Sequence, residues 1–340
     1  MTPMVRCAFV THGGAEIGLG HVRRCLALAR SLASLGAEAM FILGMDEAVA
    51  ESVARAGFRV ARVNWEADLA VAVAALRETN PDTVVVDSYL ATPEFLRLLR
   101  AVAAQVVAVD DLADRDLPVD VVVNGGVAAT DLRYGFAGGR LLLVGPQYAL
   151  IDSAYGAAPA RRQLARIERV LVTLGGSRQP QAVHAAISAV NATLDDVVVD
   201  VVAGPYADPT GDGAARSGNR FVIHGYVTDL RPLMLEADLA ISAGGMTLYE
   251  LAATATPTIM MLTVANQEPN VRGFEQAGAA VFAGAADRPG IRENLEGKLR
   301  ELARDPAHRV ALGARGRRLI DGQGTWRVGR ALVCSPSART

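Results

Sequence analysis

The sequence has little of what marks a secreted, membrane-spanning or nucleic-acid-binding protein. Its three cysteines, Cys7, Cys25 and Cys334, have a spacing that fits neither a disulfide framework nor a zinc site, so no metal is expected. The net charge of −2 lacks the basic excess that binds nucleic acid. Apolar runs such as 259–264 are far shorter than the roughly 18 residues of a membrane span, and no long apolar leader precedes the first strand. We therefore expect a cytoplasmic protein without a membrane span.

The sequence has instead an alternation of short apolar runs and helical patterns. Valine-rich runs at 84–86 and 121–123 are continuous, which is typical of parallel strands buried on both faces. The stretch 22–35 has its apolar side chains at helical spacing. This pattern predicts an α/β doubly wound domain, with strands at 5–11, 39–43, 83–87, 106–110 and 119–124.

A second copy of the pattern begins near residue 169. It predicts a helix over 180–192 and strands at 170–174, 197–203, 221–224 and 239–242. A run of small residues, 155–160, looks like a linker, so we predict two Rossmann-like domains, one over 1–157 and one over 158–340. The helical pattern at about 308–333 is a candidate to pack back on the first domain. Two such Rossmann-like domains would face a central cleft that binds the ligand.

The first chemical motif is a glycine-rich turn between a strand and a helix, from Gly13 to His21. Glycines at 13, 14, 18 and 20 leave room for a ligand against the backbone, and helix N–H groups point toward it. Because a histidine exchanges protons near neutral pH, His21 can act as a general base. A histidine at a helix start can equally serve as a simple cap, and the turn alone does not decide between the two.

The second motif is the turn over 242–250, where a strand ends and a helix begins. Small residues, helix N–H groups and the Thr247 hydroxyl form a site for phosphate or diphosphate. Glu250 lies one turn further on, where a carboxylate can bind ribose hydroxyls or simply favour the helix dipole.

The order and spacing of several segments are more specific than either turn alone. The chain resembles the two-domain GT-B glycosyltransferases. It is still more similar to the hydrolases of pseudaminic acid biosynthesis, which release UDP from UDP-2,4-diacetamido-2,4,6-trideoxy-β-L-altropyranose. The resemblance is carried by 17–26, 86–89, 109–111, 123–124, 145–150, 173–176 and 242–250, followed by Pro257, Asn266 and Gln267.

The resemblance implies a role for each motif. His21 would be the general base that activates water for inverting attack at the anomeric carbon, without a metal or other cofactor. Asp87 and Tyr89 would lie near the sugar and orient the water or His21. The first turn, with Gly18 and Gly20, would make room for the sugar. The remaining residues would bind the UDP moiety or the sugar, namely Gly175, Gly176, Ser177, Tyr226, Val227, Ser242, Gly244, Gly245, Thr247, Glu250, Asn266 and Gln267.

Two other functions stay open at this point. Close members of the hydrolase family carry Arg and Asp where this chain has Val10 and His12, and Arg where it has Asp152. These differences lie beside the implied sugar site and the linker, so an inverting glycosyltransferase that uses a UDP-sugar donor is the alternative. A sugar-nucleotide-binding protein without catalysis is the second alternative, although such a protein has no need of a base at His21.

Overall fold

The computed structural model describes residues 4–14, 17–135, 141–159, 165–175, 180–202, 218–225 and 227–334. The chain forms two compact units, Met1–Ser153 with Gln323–Thr340, and Ala154–Gly322. Each unit contains one parallel β-sheet with helices, as the α/β pattern predicted. None of the helices in the described ranges is long and apolar enough to span a membrane.

The first unit is built on a seven-stranded parallel sheet. Its strand order is β3-β2-β1-β4-β5-β6-β7, so the order reverses between β1 and β4. The middle of each central strand is apolar because both faces of the sheet are covered, and every residue of β4 and β5 is buried. The strands are β1 Arg6–Thr11, β2 Glu38–Leu43, β3 Arg59–Arg62, β4 Thr83–Asp87, β5 Gln105–Val109, β6 Val121–Asn124 and β7 Leu141–Val144.

Helices cover the two faces of this sheet, and sequence signals define their starts. Asp46 accepts a hydrogen bond from Val49 N at 3.0 Å, and Thr92 accepts one from Phe95 N at 3.2 Å, as N-caps do. Alternate residues of β1 enter different cores, with Phe9 on one side of the sheet and Val10 on the other. The helices are α1 Gly20–Ser34, α2 Glu47–Arg55, α3 Leu69–Thr79 and α4 Pro93–Leu99, followed by a short α5 Ser153–Gly156 at the division.

The second unit contains a six-stranded parallel sheet in the order β10-β9-β8-β11-β12-β13. Its strand order reverses between β8 and β11. The strands are β8 Arg169–Thr173, β9 Val198–Val202, β10 Arg220–His224, β11 Leu239–Ala243, β12 Thr258–Leu262 and β13 Val281–Ala285. The helices are α6 Pro180–Thr193, α7 Arg231–Glu236, α8 Met246–Ala253, α9 Glu268–Gln276, α10 Ile291–Arg304 and α11 Pro306–Leu319.

The chain end differs from the single helix predicted over 308–333. There are two helices, because α11 ends at Leu319 and α12 Gly324–Cys334 begins after a turn. Gly322 in that turn has φ +74°, a conformation that favours glycine, and a Cβ on Gly324 would overlap the backbone of Ala149. Helix α12 contacts α1 and so belongs to the first unit.

Candidate active site

Two neighbouring strands of the first sheet end where the strand order reverses. Thr11, the last residue of β1, is the register partner of Asp87, the last residue of β4. The chain continues from β1 through the glycine turn into α1, and from β4 into Ser88 and Tyr89. Because open parallel sheets bind ligands at this edge, the candidate active site lies at the carboxyl ends of β1 and β4.

The glycine turn is closed by its own backbone. Gly14 and Gly18 exchange two hydrogen bonds, of 3.1 and 2.8 Å, and Gly18 has φ +75°, which favours glycine. A Cβ on Gly13 would lie 2.8 Å from Val22 Cγ2, so this glycine lets the turn pack on α1. A Cβ on Gly20 or Gly18 would meet no described atom within 4 Å. Open space at these two positions is compatible with a ligand against the turn.

The side chains of His21 and Asp87 form a buried pair. His21 Nδ1 lies 2.7 Å from Asp87 Oδ1, and the two residues are 7% and 0% exposed. An ionised carboxylate can only accept a hydrogen bond, so the proton of a neutral His21 belongs on Nδ1 and the lone pair on Nε2. This arrangement makes Nε2 a proton acceptor and provides a carboxylate to stabilise the imidazolium that forms.

Arg24 keeps the Asp87 carboxylate charged. Its Nε and Nη2 donate to the two carboxylate oxygens of Asp87 at 2.5 and 2.6 Å, while Nη1 donates to both oxygens of Asp111 at 2.8 Å. Burial acts to raise the pKa of Asp87, but the charges of Arg24 and His21 outweigh it and hold that pKa well below its ordinary value. The carboxylate beside His21 therefore stays ionised at neutral pH.

Tyr89 lies beside His21 at the surface. Its ring is 4.8 Å from the His21 ring, centroid to centroid, at an interplanar angle of 83°. The Tyr89 hydroxyl donates to Asp111 Oδ2 at 3.2 Å, and the residue is 39% exposed. Burial, and then the negative charge of Asp111, raise the pKa of Tyr89 above its ordinary value. Tyr89 is thus a neutral hydroxyl in this cluster, which leaves His21 as the candidate base.

The second sheet presents glycine turns at its own reversal point. Ser242 near the end of β11 is the register partner of Thr173, the last residue of β8. Gly175 follows β8 with φ +89°, and a Cβ there would meet no described atom within 4 Å. Gly245 is the N-cap residue of α8, so the first turn of that helix begins at this edge. Three of the predicted binding residues, Gly176, Ser177 and Tyr226, lie outside the described residues.

Contacts with α9 and the residues just before it fix the conformation of the turn at Gly244, which precedes α8. A Cβ on Gly244 would lie 2.6 Å from Val271 Cγ2, so only glycine allows this approach. Gln267 Oε1 accepts hydrogen bonds from Gly244 N at 3.2 Å and from Thr263 Oγ1 at 3.1 Å. Asn270 Nδ2 donates to Gly244 O at 3.0 Å. The carbonyl end of Gln267 therefore binds the turn itself, which sequence reasoning had not foreseen.

The other predicted binding residues of the second unit differ in accessibility. Ser242 is fully buried within β11, and Thr247 in the first turn of α8 is 7% exposed. Glu250 is half-buried one turn further along α8, and Val227 is half-buried after β10. Asn266 is exposed in a short 3-10 turn after β12. Ser242 and Thr247 are thus buried, whereas Glu250, Val227 and Asn266 lie nearer to the surface.

Sequence reasoning had assigned no role to Arg24 or Asp111, although both lie in segments that it singled out. The signal for Arg24 was its spacing, because a residue three positions after His21 lies on the same helical face. Asp111 follows β5, the strand beside β4, so its placement at the same sheet edge follows from the strand order. From these two patterns, sequence reasoning could have placed the Arg24 guanidinium between the carboxylates of Asp87 and Asp111.

Comparison with known proteins agrees with this architecture. Residues 170–315 match the glycosyltransferase family 28 C-terminal domain. The crystal structure of MurG from Acinetobacter baumannii superimposes with a TM-score of 0.70 over 97% of this chain and 99% of that one, at 13% sequence identity. The chain has a GT-B, glycosyltransferase-like fold. Its match to the family 28 domain lies wholly within the second unit of this GT-B protein.

Two curated relatives extend the similarity into the first unit of the GT-B protein. One is the spore coat polysaccharide biosynthesis protein SpsG of Bacillus subtilis, 28% identical over 62% of this chain and 63% of the relative. The other is the pseudaminic acid cytidylyltransferase and UDP-2,4-diacetamido-2,4,6-trideoxy-beta-L-altropyranose hydrolase of Helicobacter pylori, 24% identical over 77% of this chain and 45% of the relative. The chain thus spans about half the length of the curated relatives that it matches.

Proposed function

We propose that this GT-B protein is an inverting, metal-independent hydrolase of a UDP-linked, acetamido-substituted deoxy sugar. It would act in the synthesis of a pseudaminic-type acid or a surface polysaccharide. The observation that carries the proposal is the buried pair of His21 and Asp87, whose Nδ1 and Oδ1 atoms are 2.7 Å apart. The names of the two curated relatives, a UDP-sugar hydrolase and a polysaccharide biosynthesis protein, support the substrate class.

In the proposed reaction, His21 Nε2 accepts a proton from water as the water oxygen attacks the anomeric carbon. The bond from that carbon to the diphosphate oxygen breaks, and its electron pair leaves with UDP. The new bond forms on the opposite face of the sugar, so the configuration inverts. Asp87, held ionised by Arg24, stabilises the imidazolium of His21. A base in this role contributes about 10²–10⁴-fold to the rate.

We assign the leaving group to the second unit. Backbone N–H groups after Gly244 and Gly245, with the start of α8 and the Thr247 hydroxyl, are suited to a diphosphate. Their partial positive charge would stabilise the charge that develops on UDP as the bond breaks. Glu250 would accept hydrogen bonds from ribose hydroxyls, and the segment 225–227 would contact uracil. Gly175–Ser177, Asn266 and Gln267 would complete the site.

The central test follows UDP release from a panel of UDP-sugars that includes the diacetamido-trideoxy sugar. Wild-type protein, His21→Ala and His184→Ala are compared, because His184 is an exposed histidine on α6 and serves as a matched control. We expect release without any acceptor, lost in His21→Ala and unchanged in His184→Ala. Product NMR immediately after turnover would report the inverted anomer. If His21→Ala released UDP at the wild-type rate, the mechanism would be wrong.

The nucleotide assignment is tested separately by UDP binding. Glu250→Gln is expected to raise the Kd of UDP about tenfold, the effect of losing about 1.4 kcal/mol. Glu275→Gln, which changes an exposed acid on α9, is expected to leave it unchanged. If both variants bound UDP with the wild-type Kd, the assignment of Glu250 to the nucleotide site would be wrong.

The match to a glycosyltransferase family domain favours a second candidate, an inverting transferase. Here the same base would deprotonate an acceptor hydroxyl in place of water. UDP release that depends on an added alcohol acceptor would support this candidate over the hydrolase. Tight UDP-sugar binding without release under either condition would support a binding protein instead.

A further inference from the structure

Five rings of the first unit follow one another from the core to the surface. Centroid distances are 6.5 Å from Phe95 to Trp65, 6.0 Å from Trp65 to His12, 4.9 Å from His12 to His21, and 4.8 Å from His21 to Tyr89. We call these five residues the ring column. Trp65 and Phe95 are 0% and 1% exposed. His12 is therefore the link between the proposed base and the rigid core of the unit.

The His12 ring is buried next to a hydroxyl group and is neutral. The Ser88 hydroxyl oxygen accepts a hydrogen bond from Leu90 N at 3.0 Å and lies 3.4 Å from His12 Nδ1. In this contact either the hydroxyl or a protonated Nδ1 can donate, depending on the tautomer of His12. Burial, followed by the positive charges of His21 and Arg24, lowers the pKa of His12 to about 4. A neutral ring thus faces His21 at physiological pH.

The neutral His12 ring restrains the orientation of the His21 ring, which the hydrogen bond to Asp87 does not. Asp87 Oδ1 and Arg24 Nη2, at 2.7 and 3.1 Å, both contact Nδ1, so they anchor one atom of the His21 ring but allow the ring to rotate about that atom. The rings of His12 and Tyr89 contact His21 at interplanar angles of 65° and 83°, the edge-to-face geometry that aromatic rings prefer. These two contacts limit the rotation and so define where Nε2 points. A neutral neighbour also adds no repulsion when His21 takes a proton.

We propose that His12 is a positioning residue, whose imidazole holds the His21 ring so that Nε2 keeps the direction needed for proton transfer. The proposal rests on the proposed role of His21 as the base. His12 does not take a proton itself and needs no contact with substrate. It acts through the ring contact with His21, which in turn depends on the packing of His12 against Trp65.

Two substitutions separate the ring contact from the hydrogen bond to Ser88. His12→Phe keeps a ring between Trp65 and His21 and loses the bond, whereas His12→Asn can keep the bond and loses the outer part of the ring. We expect His12→Asn to lower kcat for UDP release about ten- to hundredfold with KM within about twofold, because misplacement acts on the chemical step. We expect His12→Phe to retain kcat within about threefold. A normal kcat in His12→Asn, or a larger loss in His12→Phe, would overturn the proposal.

A measurement without substrate separates this proposal from the proposed function. In protein labelled with ¹⁵N at histidine, NMR would show His21 protonated at Nδ1 and His12 as a neutral ring. The His21 signals should broaden or shift in His12→Asn and stay near the wild type in His12→Phe, with exposed His184 as an internal control. That result in a protein that turns over no UDP-sugar would refute the proposed function while supporting the positioning of His21. Unchanged His21 signals in His12→Asn would overturn the positioning role, whether or not the enzyme is active.

Discussion

Replacing Arg24 with methionine is expected to destabilise the first unit far more than replacing Arg30, which lies on the same helix. Arg24 is 8% exposed, and its guanidinium bonds the carboxylates of Asp87 and Asp111. Arg30 pairs with Asp152 at 2.9 Å, but its side chain is 51% exposed. Methionine has a long unbranched side chain and a similar helix propensity, so both substitutions remove mainly the charge and its hydrogen bonds.

The expected loss of stability in each variant follows from how deeply the replaced arginine is buried. Removing one partner of a buried ion pair costs about 3–5 kcal/mol, because it leaves the Asp87 carboxylate buried without its cation. Removing one partner of an exposed pair costs about 0–1 kcal/mol. At about 2–4 °C per kcal/mol for a domain of this size, Arg24→Met should lower the Tm of the first unit on the order of 10 °C, and Arg30→Met by at most about 4 °C.

Intrinsic fluorescence reports selectively on this unit, because both tryptophans of the chain, Trp65 and Trp326, belong to it. Thermal unfolding followed by this signal gives the Tm of the first unit for each variant. Arg24→Lys should lie between Arg24→Met and wild type, since lysine keeps the charge but loses the forked hydrogen bonds. A midpoint for Arg24→Met no lower than that for Arg30→Met would refute the view that the buried guanidinium stabilises this site.

Three further outcomes are expected. Asp87→Asn should lower kcat for UDP release by up to about 10²–10⁴-fold in steady-state assays, and full activity would contradict the pairing with His21. Gly244→Ala should destabilise the second unit by about 1–3 kcal/mol in calorimetry because its Cβ would meet Val271, whereas Gly297→Ala, a change in open space on α10, should not destabilise it. The pKa of His12 is about 6.5 in the unfolded chain and about 4 in the folded protein, so the unfolded state takes up the proton first as the pH is lowered. Between pH 6.5 and 4 the free energy of unfolding should therefore decrease by about 3 kcal/mol more in wild type than in His12→Phe, as measured by urea unfolding at each pH.

The central strands were predictable from sequence, and the edge strands mostly were not. The buried runs of β4 and β6 are continuous apolar segments, and the predictions matched them closely. The strands β3, β7 and β13 were not predicted, and each lies at an edge of its sheet, although the edge strand β10 was predicted and the central strand β12 was noted only as an apolar run. Edge strands are only partly covered, so they need no continuous apolar run, and β3 has no buried residue. The extent to which neighbouring elements bury a strand, rather than its strand propensity, explains why central strands were easier to predict than edge strands.

The pair at the centre of the candidate site could be predicted only in part, for a related reason. The glycine turn makes His21 a candidate base from local sequence, but a helix cap fits that pattern as well. The choice depends on a carboxylate 66 positions away, which strand register alone brings beside it through the pairing of Thr11 with Asp87. Register arises from the packing of the whole sheet, and the short apolar runs of β1 and β4 permit neighbouring alignments. A candidate base becomes a mechanistic hypothesis once the sheet aligns it with Asp87, and that alignment is a property of the assembled fold.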